Sequence, residues 1–450
     1  METGGFFRDM VKYMFPIKER EDFMKRYRLM IVFAIICLFP YCQVGTVSDG
    51  INASSPSFEA VSSAVSAASS GDTVVIPAGS ADWGTNYIST TKAISIVGAG
   101  MGLTKITASG PCFFVFLPDS SAVAEDQTIR VSDMTLSGNY AGGYEGSISI
   151  DQRSSSIMHN IIIDHIKFHH VIDAIVLKGN LYGVAYDCRF EYTDPTAGLR
   201  DSCIFLRAIG NDRESWDDYC PSPAAPYGHS DNFFVEDCVF EGNVWCEAGH
   251  GGRYVLRHNT FNNFNAIQAF DAHGNQPGLL YGTIISEIYE NTFTNAERAF
   301  QLLDLRGGFA LCYNNVISGV TSASGTFMKI RDEYDDDPAI WPVNDSALEV
   351  MRPRANYSWA NRAEGAMVGF LLGEDVTNTL AENTTYWNEQ DSFDGTAGVG
   401  VGPLSSRPAT CTAGVAYWAT DTNTLYRAAA TNAWSAYYTP YTYPHPLRSK

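Results

Sequence analysis

The chain has 450 residues, with 30 Lys and Arg against 50 Asp and Glu, and a formal net charge of −20. That length can bury a large core, and the acidic balance argues against nucleic acid and anionic membrane surfaces as partners. Abundant Gly, Ser, Thr, Asn and aromatic residues favour strands and turns over helices.

Residues 29–41 form a short apolar run behind Lys25, Arg26 and Arg28. A charged start and an apolar stretch too short for a relaxed span read as a secretory signal, with Met24 as the expected true start. Residues 1–42 are therefore a signal peptide or a retained N-terminal anchor. The protein is expected to be secreted or held at the cell surface, with no other membrane contact. Phe39-Pro40-Tyr41-Cys42 fits no standard cleavage site, so both alternatives stay open. Export permits disulfides, and the absence of any CxxC pair argues against structural zinc.

Residues 57–68 place Phe58, Val61, Val65 and Ala68 at helical spacing, and strands are predicted around 73–76 and 94–97. The succession of an amphipathic helix, then GDTVVIPAG, then ISIVGAG resembles the N-terminal cap and first coil of secreted right-handed β-helix proteins of the pectate-lyase type. The resemblance covers roughly residues 56–340. It implies an all-β chain built as a right-handed parallel β-helix over 43–386, its open end covered by the helix. It fixes no activity, because that fold hosts lyases, hydrolases and non-enzymes.

A repeat supports the same fold from the residues alone. Phe168, Phe190, Phe240, Phe261, Phe293 and Ile317 recur with shortest spacings of 22, 21 and 24 residues, a period that suits one coil of a solenoid. Two residues earlier stand Ile166, Cys188, Cys238, Asn259, Asn291 and Asn315. Five before the Phe column stand Ile163, Ala185, Val235, Leu256, Ile288 and Cys312. These two columns should face inward and stack about 4.8 Å apart, with the Phe column beside them and each amide bonding its neighbours. A bridge between Cys188 and Cys238 is geometrically allowed if their coils are adjacent. Four before the Phe column stand Asp164, Tyr186, Glu236, Arg257, Tyr289 and Tyr313, which should point outward. That row is either a solvated face or, at Arg257, Tyr289 and Tyr313, a sugar-contacting one.

Insertions are expected near 194–231, carrying Asp217 and Asp218, and near 271–281; long loops on repeat scaffolds cluster on the binding face. The acidic run 332–337 is a solvated loop or a calcium loop. Residues 387–450 read as a Gly-rich linker at 395–402 followed by an aromatic β-meander, loosely similar to short repeats of phage fibres and bacterial surface proteins. The meander either binds sugar or packs on the solenoid, and packing is the expected outcome.

The chemistry is expected where apolar segments end before turns. Lys178, Arg207, Glu247, Asp271, His273, Asp304 and Arg306 occupy that place in successive coils. In register they would line one groove for an extended polysaccharide. Elimination beside a uronate carboxylate needs a base, a cation that neutralises the carboxylate, and a proton for the leaving oxygen. His273 or Lys178 is the expected base, and Arg306 and Arg207 the expected carboxylate clamps. Asp271 and Asp304 are the expected metal or orienting ligands, with Ca²⁺ as the ion. Glu247 is expected to touch substrate or share that ion. A lyase is the leading reading and a non-catalytic carbohydrate-binding adhesin the next. A hydrolase is third: Gly249-His250-Gly251 resembles the GHG motif of polygalacturonases, but their other motifs are absent, and Lys329-Ile330-Arg331 has the wrong order for their RIK.

Overall fold

The turns of the solenoid contribute strands to three sheets, and these strands pair in parallel with their counterparts one coil on. The structure, a computed structural model, describes residues 50–450 except 139–145, 153–155, 193–201, 208–226, 243, 250, 263–267, 275–281, 295–301, 320–327, 333–354 and 376–379. Three sheets result, one of ten strands and two others joined along a bend. The chain is a parallel β-helix. The leader, Asp217, Asp218, Cys220, His250 and the run from 333 to 337 lie outside the described residues.

The expected columns are the observed registers. On the first sheet Val131, Ile163, Ala185, Val235, Leu256, Ile288 and Cys312 pair in succession. On the second, Phe168, Phe190, Phe240, Phe261, Phe293 and Ile317 do so. The phenyl rings stack at 4.9, 4.8, 4.3 and 4.8 Å between centroids, so the coil spacing itself sets the ring spacing.

The bend between these sheets is one left-handed residue per coil: Asp133, His165, Asp187, Asp237, His258, Glu290, Asn314 and Ala360 all have positive φ. Asp, Asn and His tolerate that region better than other side chains, and they fill six of these eight positions. The next residue points inward. There Asn259 Oδ1 accepts from Cys238 N at 2.9 Å, Asn291 Oδ1 from Asn259 N at 3.0 Å, and Asn315 Oδ1 from Asn291 N at 3.1 Å. Asn361 extends the row by accepting from Asn315 N at 3.1 Å. The amide nitrogens donate back to carbonyls, as Asn291 Nδ2 does to Leu256 O at 2.9 Å. Asn291→Leu therefore strands a buried N–H and a buried carbonyl. We expect it to cost about 1–3 kcal/mol in urea-unfolding midpoint measurements; a loss within error would mean the row is not structural.

Helix α1, Phe58–Ala67, covers the N-terminal end. Ser57 caps it by accepting from Ala60 N, and Val61, Ala64 and Val65 are buried. Lys92 Nζ donates to Val65 O and Ser66 O at the other end, the cation that a helix C-terminus favours. Cys188 and Cys238 are thiols and form no bridge with each other.

Two expectations are corrected at the other end of the chain. The run 395–402 is not simply a linker, because Val399–Gly402 forms a strand parallel to Ala416–Ala419, which continues antiparallel through Thr424–Ala430 and Ala433–Tyr438. The outer row of the first sheet is not solvated either. The meander packs on it, and Val184, Phe234, Val255, Leu311, Tyr357, Trp359, Trp418, Leu425 and Tyr438 form a second core. The last residues then run back along the row as a strap. Arg257 Nη1 and Nη2 donate to Tyr441 O and Thr442 O at 2.8 and 2.9 Å. Arg448 reaches Asp187 at 2.9 Å and also pairs with Asp237, and Lys450 Nζ donates to Asn160 at 2.6 Å.

Candidate functional site

The third sheet carries the charged cluster. Its register aligns Val176, Phe205, Glu247, Asp271, Asp304 and Lys329 across successive strands. Because side chains alternate, the residue two positions on shares the same face. That second row begins Asp151, Lys178, Arg207, Gly249. The ladder continues beyond it, since His273 N donates to Ala248 O at 2.8 Å and Arg306 N to Ala272 O at 2.9 Å.

The two rows interlock diagonally, each His or Arg binding the acid of the preceding coil. His273 Nε2 is 2.8 Å from Glu247 Oε1. Arg306 grips Asp271 through Nε at 2.8 Å and Nη2 at 2.6 Å. Arg331 grips Asp304 at 3.0 and 2.7 Å. Paired two-point contacts of this kind are the strong form of the charge-assisted bond. Gln268 Nε2 also donates to Asp271 at 2.6 Å. The side chains are mostly buried: Asp304 is 1% exposed, Arg306 8%, His273 12% and Arg331 21%.

Arg306 Nη2 lies 2.6 Å from His273 Nδ1 and 2.8 Å from Nε2. Glu247 sits at Nε2, which assigns the imidazole N–H to that nitrogen. In that tautomer Nδ1 is the acceptor beside the guanidinium.

Five of the expected residues thus converge: Glu247, Asp271, His273, Asp304 and Arg306. Lys178 shares the face but stands three strand steps from His273, about 14 Å at the spacing of neighbouring strands. It does not reach the same reacting atom. Arg207 lies between them in the register, and its side chain is outside the described residues. Arg257, Tyr289 and Tyr313 are on the first sheet, fully buried under the meander and strap. Tyr313 Oη meets Tyr438 Oη at 3.0 Å, and no surface is left there for sugar. Arg331 was not among the expected site residues. Its signal is the repeated pattern of a polar residue, an aliphatic residue and a His or Arg: Asp271-Ala272-His273, Asp304-Leu305-Arg306, Lys329-Ile330-Arg331.

Asp271 and Asp304 do not fit a calcium ion. Ca²⁺ takes six to eight oxygens, and both oxygens of each carboxylate already hold a guanidinium. Among the described residues no group of three or more His, Cys, Asp or Glu is arranged to hold a metal. A hydrolytic pair is equally unsupported here, since two of the three carboxylates of the cluster are held by guanidiniums and the third by His273.

No family model and no curated protein sequence matches the chain. Among solved structures it is similar to an alginate lyase from Paenibacillus, at 12% identity over 75% of this chain and 95% of that one, with a TM-score of 0.35. It is also similar to a DFA-IIIase from Arthrobacter chlorophenolicus, at 11% over 83% and 82%, TM-score 0.40. A third is the catalytic domain of a GH87 alpha-1,3-glucanase, at 13% over 85% and 60%, TM-score 0.40. At these identities and scores the likenesses carry no weight for what the chain does.

Proposed function

We propose that the protein acts on polysaccharide through its third sheet, cleaving a uronate-containing polymer by β-elimination. The observation that carries this reading is the Glu247–His273–Arg306 contact, an imidazole oriented by a carboxylate with a guanidinium at its other nitrogen. In the reaction, the uronate carboxylate draws the Arg306 N–H away from His273 Nδ1. Nδ1 then takes the proton from the carbon beside the carboxylate. A carbon–carbon double bond forms as the glycosidic C–O bond breaks, and the leaving oxygen gains a proton from water. Arg306 offsets the charge that builds on the carboxylate. Asp271 and Asp304 orient guanidiniums rather than a metal, and Arg331, one coil on, is placed to hold the neighbouring sugar's carboxylate.

A carbohydrate-binding role without catalysis is favoured instead by the closure of the network, since three acids held by His273 and two arginines stabilise stacked coils with or without a reaction. An exported or surface location belongs to the proposal and rests on residues 24–42. No helix among the described residues is long and apolar enough to cross a membrane. Incubation with a panel of uronate polymers separates the readings. A lyase generates the ultraviolet absorbance of an unsaturated uronate. Reducing ends without that absorbance would replace elimination by hydrolysis, and neither signal together with retained binding would leave the adhesin.

A further inference from the structure

Glu287 is a fully buried carboxylate in the middle of the second core. It lies in the interface between the first sheet and the meander, remote from the third-sheet cluster in the coil. Its Oε1 accepts from Gly228 N at 2.7 Å and its Oε2 from Tyr438 Oη at 2.9 Å. Tyr438 closes the meander, so this bond joins the meander directly to the solenoid. The hydroxyl of Tyr438 also meets Tyr313 Oη at 3.0 Å. Ionised carboxylates inside apolar cores are unfavourable unless a cation is in contact. The nearest cations belong to the preceding coil. Of these, Arg257 is in contact with Glu236 at 2.6 Å, and Arg253 Nε donates to Asp231 O.

We propose that Glu287 is a proton-operated latch between the solenoid and its C-terminal meander, closed when the carboxyl is protonated and loosened when it ionises. The groups that face it are Tyr227 and Gly228 from the segment before the Phe233–Glu236 strand, Arg253 and Arg257 from the preceding coil, and Tyr289 from its own strand. Tyr313 faces it from the coil that follows, and Tyr438 from the meander. Burial holds the Tyr227, Tyr289, Tyr313, Tyr357 and Tyr438 hydroxyls well above their ordinary value, so they stay neutral throughout. Glu287 therefore titrates alone among its neighbours.

Burial pushes the Glu287 carboxyl up to about 7, against the opposing pull of Gly228 N–H, the Tyr438 hydroxyl and the two arginines. A carboxyl raised in the docked state contributes fully below its ordinary value of 4.5 and loses that contribution as pH rises through about 7. One proton taken up on docking changes the opening equilibrium by up to about tenfold per pH unit inside that window.

Hydrogen–deuterium exchange of residues 416–438 in the full chain, corrected for intrinsic rates, tests this at pH 5.5 and 7.5. The meander should open at least about tenfold more at the higher pH. Glu287→Gln keeps the shape and an acceptor oxygen but cannot ionise, so it should remove the pH dependence. Tyr438→Phe deletes a donor to the carboxylate and should move the midpoint to higher pH. A wild-type protein with no pH dependence, or a Glu287→Gln variant that keeps it, overturns the latch. If Glu287→Gln fails to fold, an unchanged midpoint in Tyr438→Phe does the same. His445 titrates in the strap with the opposite sign and is common to both proteins, so it cancels in the comparison.

Discussion

Arg257→Ala is expected to destabilise the protein by about 3–5 kcal/mol, the cost of breaking a buried ion pair from one side. Arg257 and Glu236 have fully buried side chains and pair at 2.6 Å. The same guanidinium donates to Tyr289 Oη at 3.0 Å and to the strap carbonyls of Tyr441 and Thr442. Its loss leaves Glu236 charged in the core with only the strap's own donors, His445 N and Arg448. Urea-unfolding midpoints give the size, and proteolysis within residues 439–450 should accelerate in parallel. The double variant Glu236→Leu with Arg257→Met, which removes both charges, should lose less than the two single changes summed. A loss below about 1 kcal/mol in Arg257→Ala would show that the pair is solvated, at the level of exposed ion pairs. The strap should also weaken in acid. Burial, followed by the Arg257 charge, pushes His445 down to about 3, so its contribution is present above its ordinary 6.5 and is lost as pH falls toward 3.

His273→Ala is expected to lower turnover by about 10²–10⁴-fold on whichever polymer responds, the usual worth of a positioned base. Glu247→Gln should retain the fold and weaken the orientation of the ring, shifting the acid limb of the pH profile instead of abolishing the reaction. Arg306→Lys keeps the charge but loses the two-point grip on Asp271, and should fall closer to Arg306→Ala than to the wild type. Lys178→Ala should leave the chemical step unchanged, because its place in the sheet is about 14 Å from His273. A large effect of Lys178→Ala alone would move the reacting centre up the sheet.

The inward columns were legible because the coil imposes them locally. A Phe column whose shortest steps are 21, 22 and 24 residues, with Asn259, Asn291 and Asn315 two before its last three members, needs no knowledge of distant contacts. Asn361 escaped notice because the insertion before it stretches the step from Asn315 to 46 residues. The outer row was misleading for the opposite reason. Glu236 and Arg257 look like a wet face until partners as far as 212 residues downstream cover them, and no local pattern records that cover. The glycines at 398–402 were read as flexibility. At Gly400 a Cβ would stand 2.3 Å from the Phe393 ring and 2.7 Å from that of Tyr417, so close packing, and not freedom, demands glycine there. At the site, the shared strand-end position placed five residues correctly together. It could not show that each acid belongs to a His or Arg of the next coil, a diagonal fixed only by the register of the sheet.

Proton NMR of a uronate polymer after incubation with wild-type protein and with His273→Ala, run side by side, tests elimination at the third sheet most directly. The wild type should produce the vinylic proton of a new unsaturated chain end, and His273→Ala, folded by circular dichroism, should produce none. A vinylic signal of equal size from both proteins would remove His273 as the base, and its absence from both across the polymer panel would contradict the lyase.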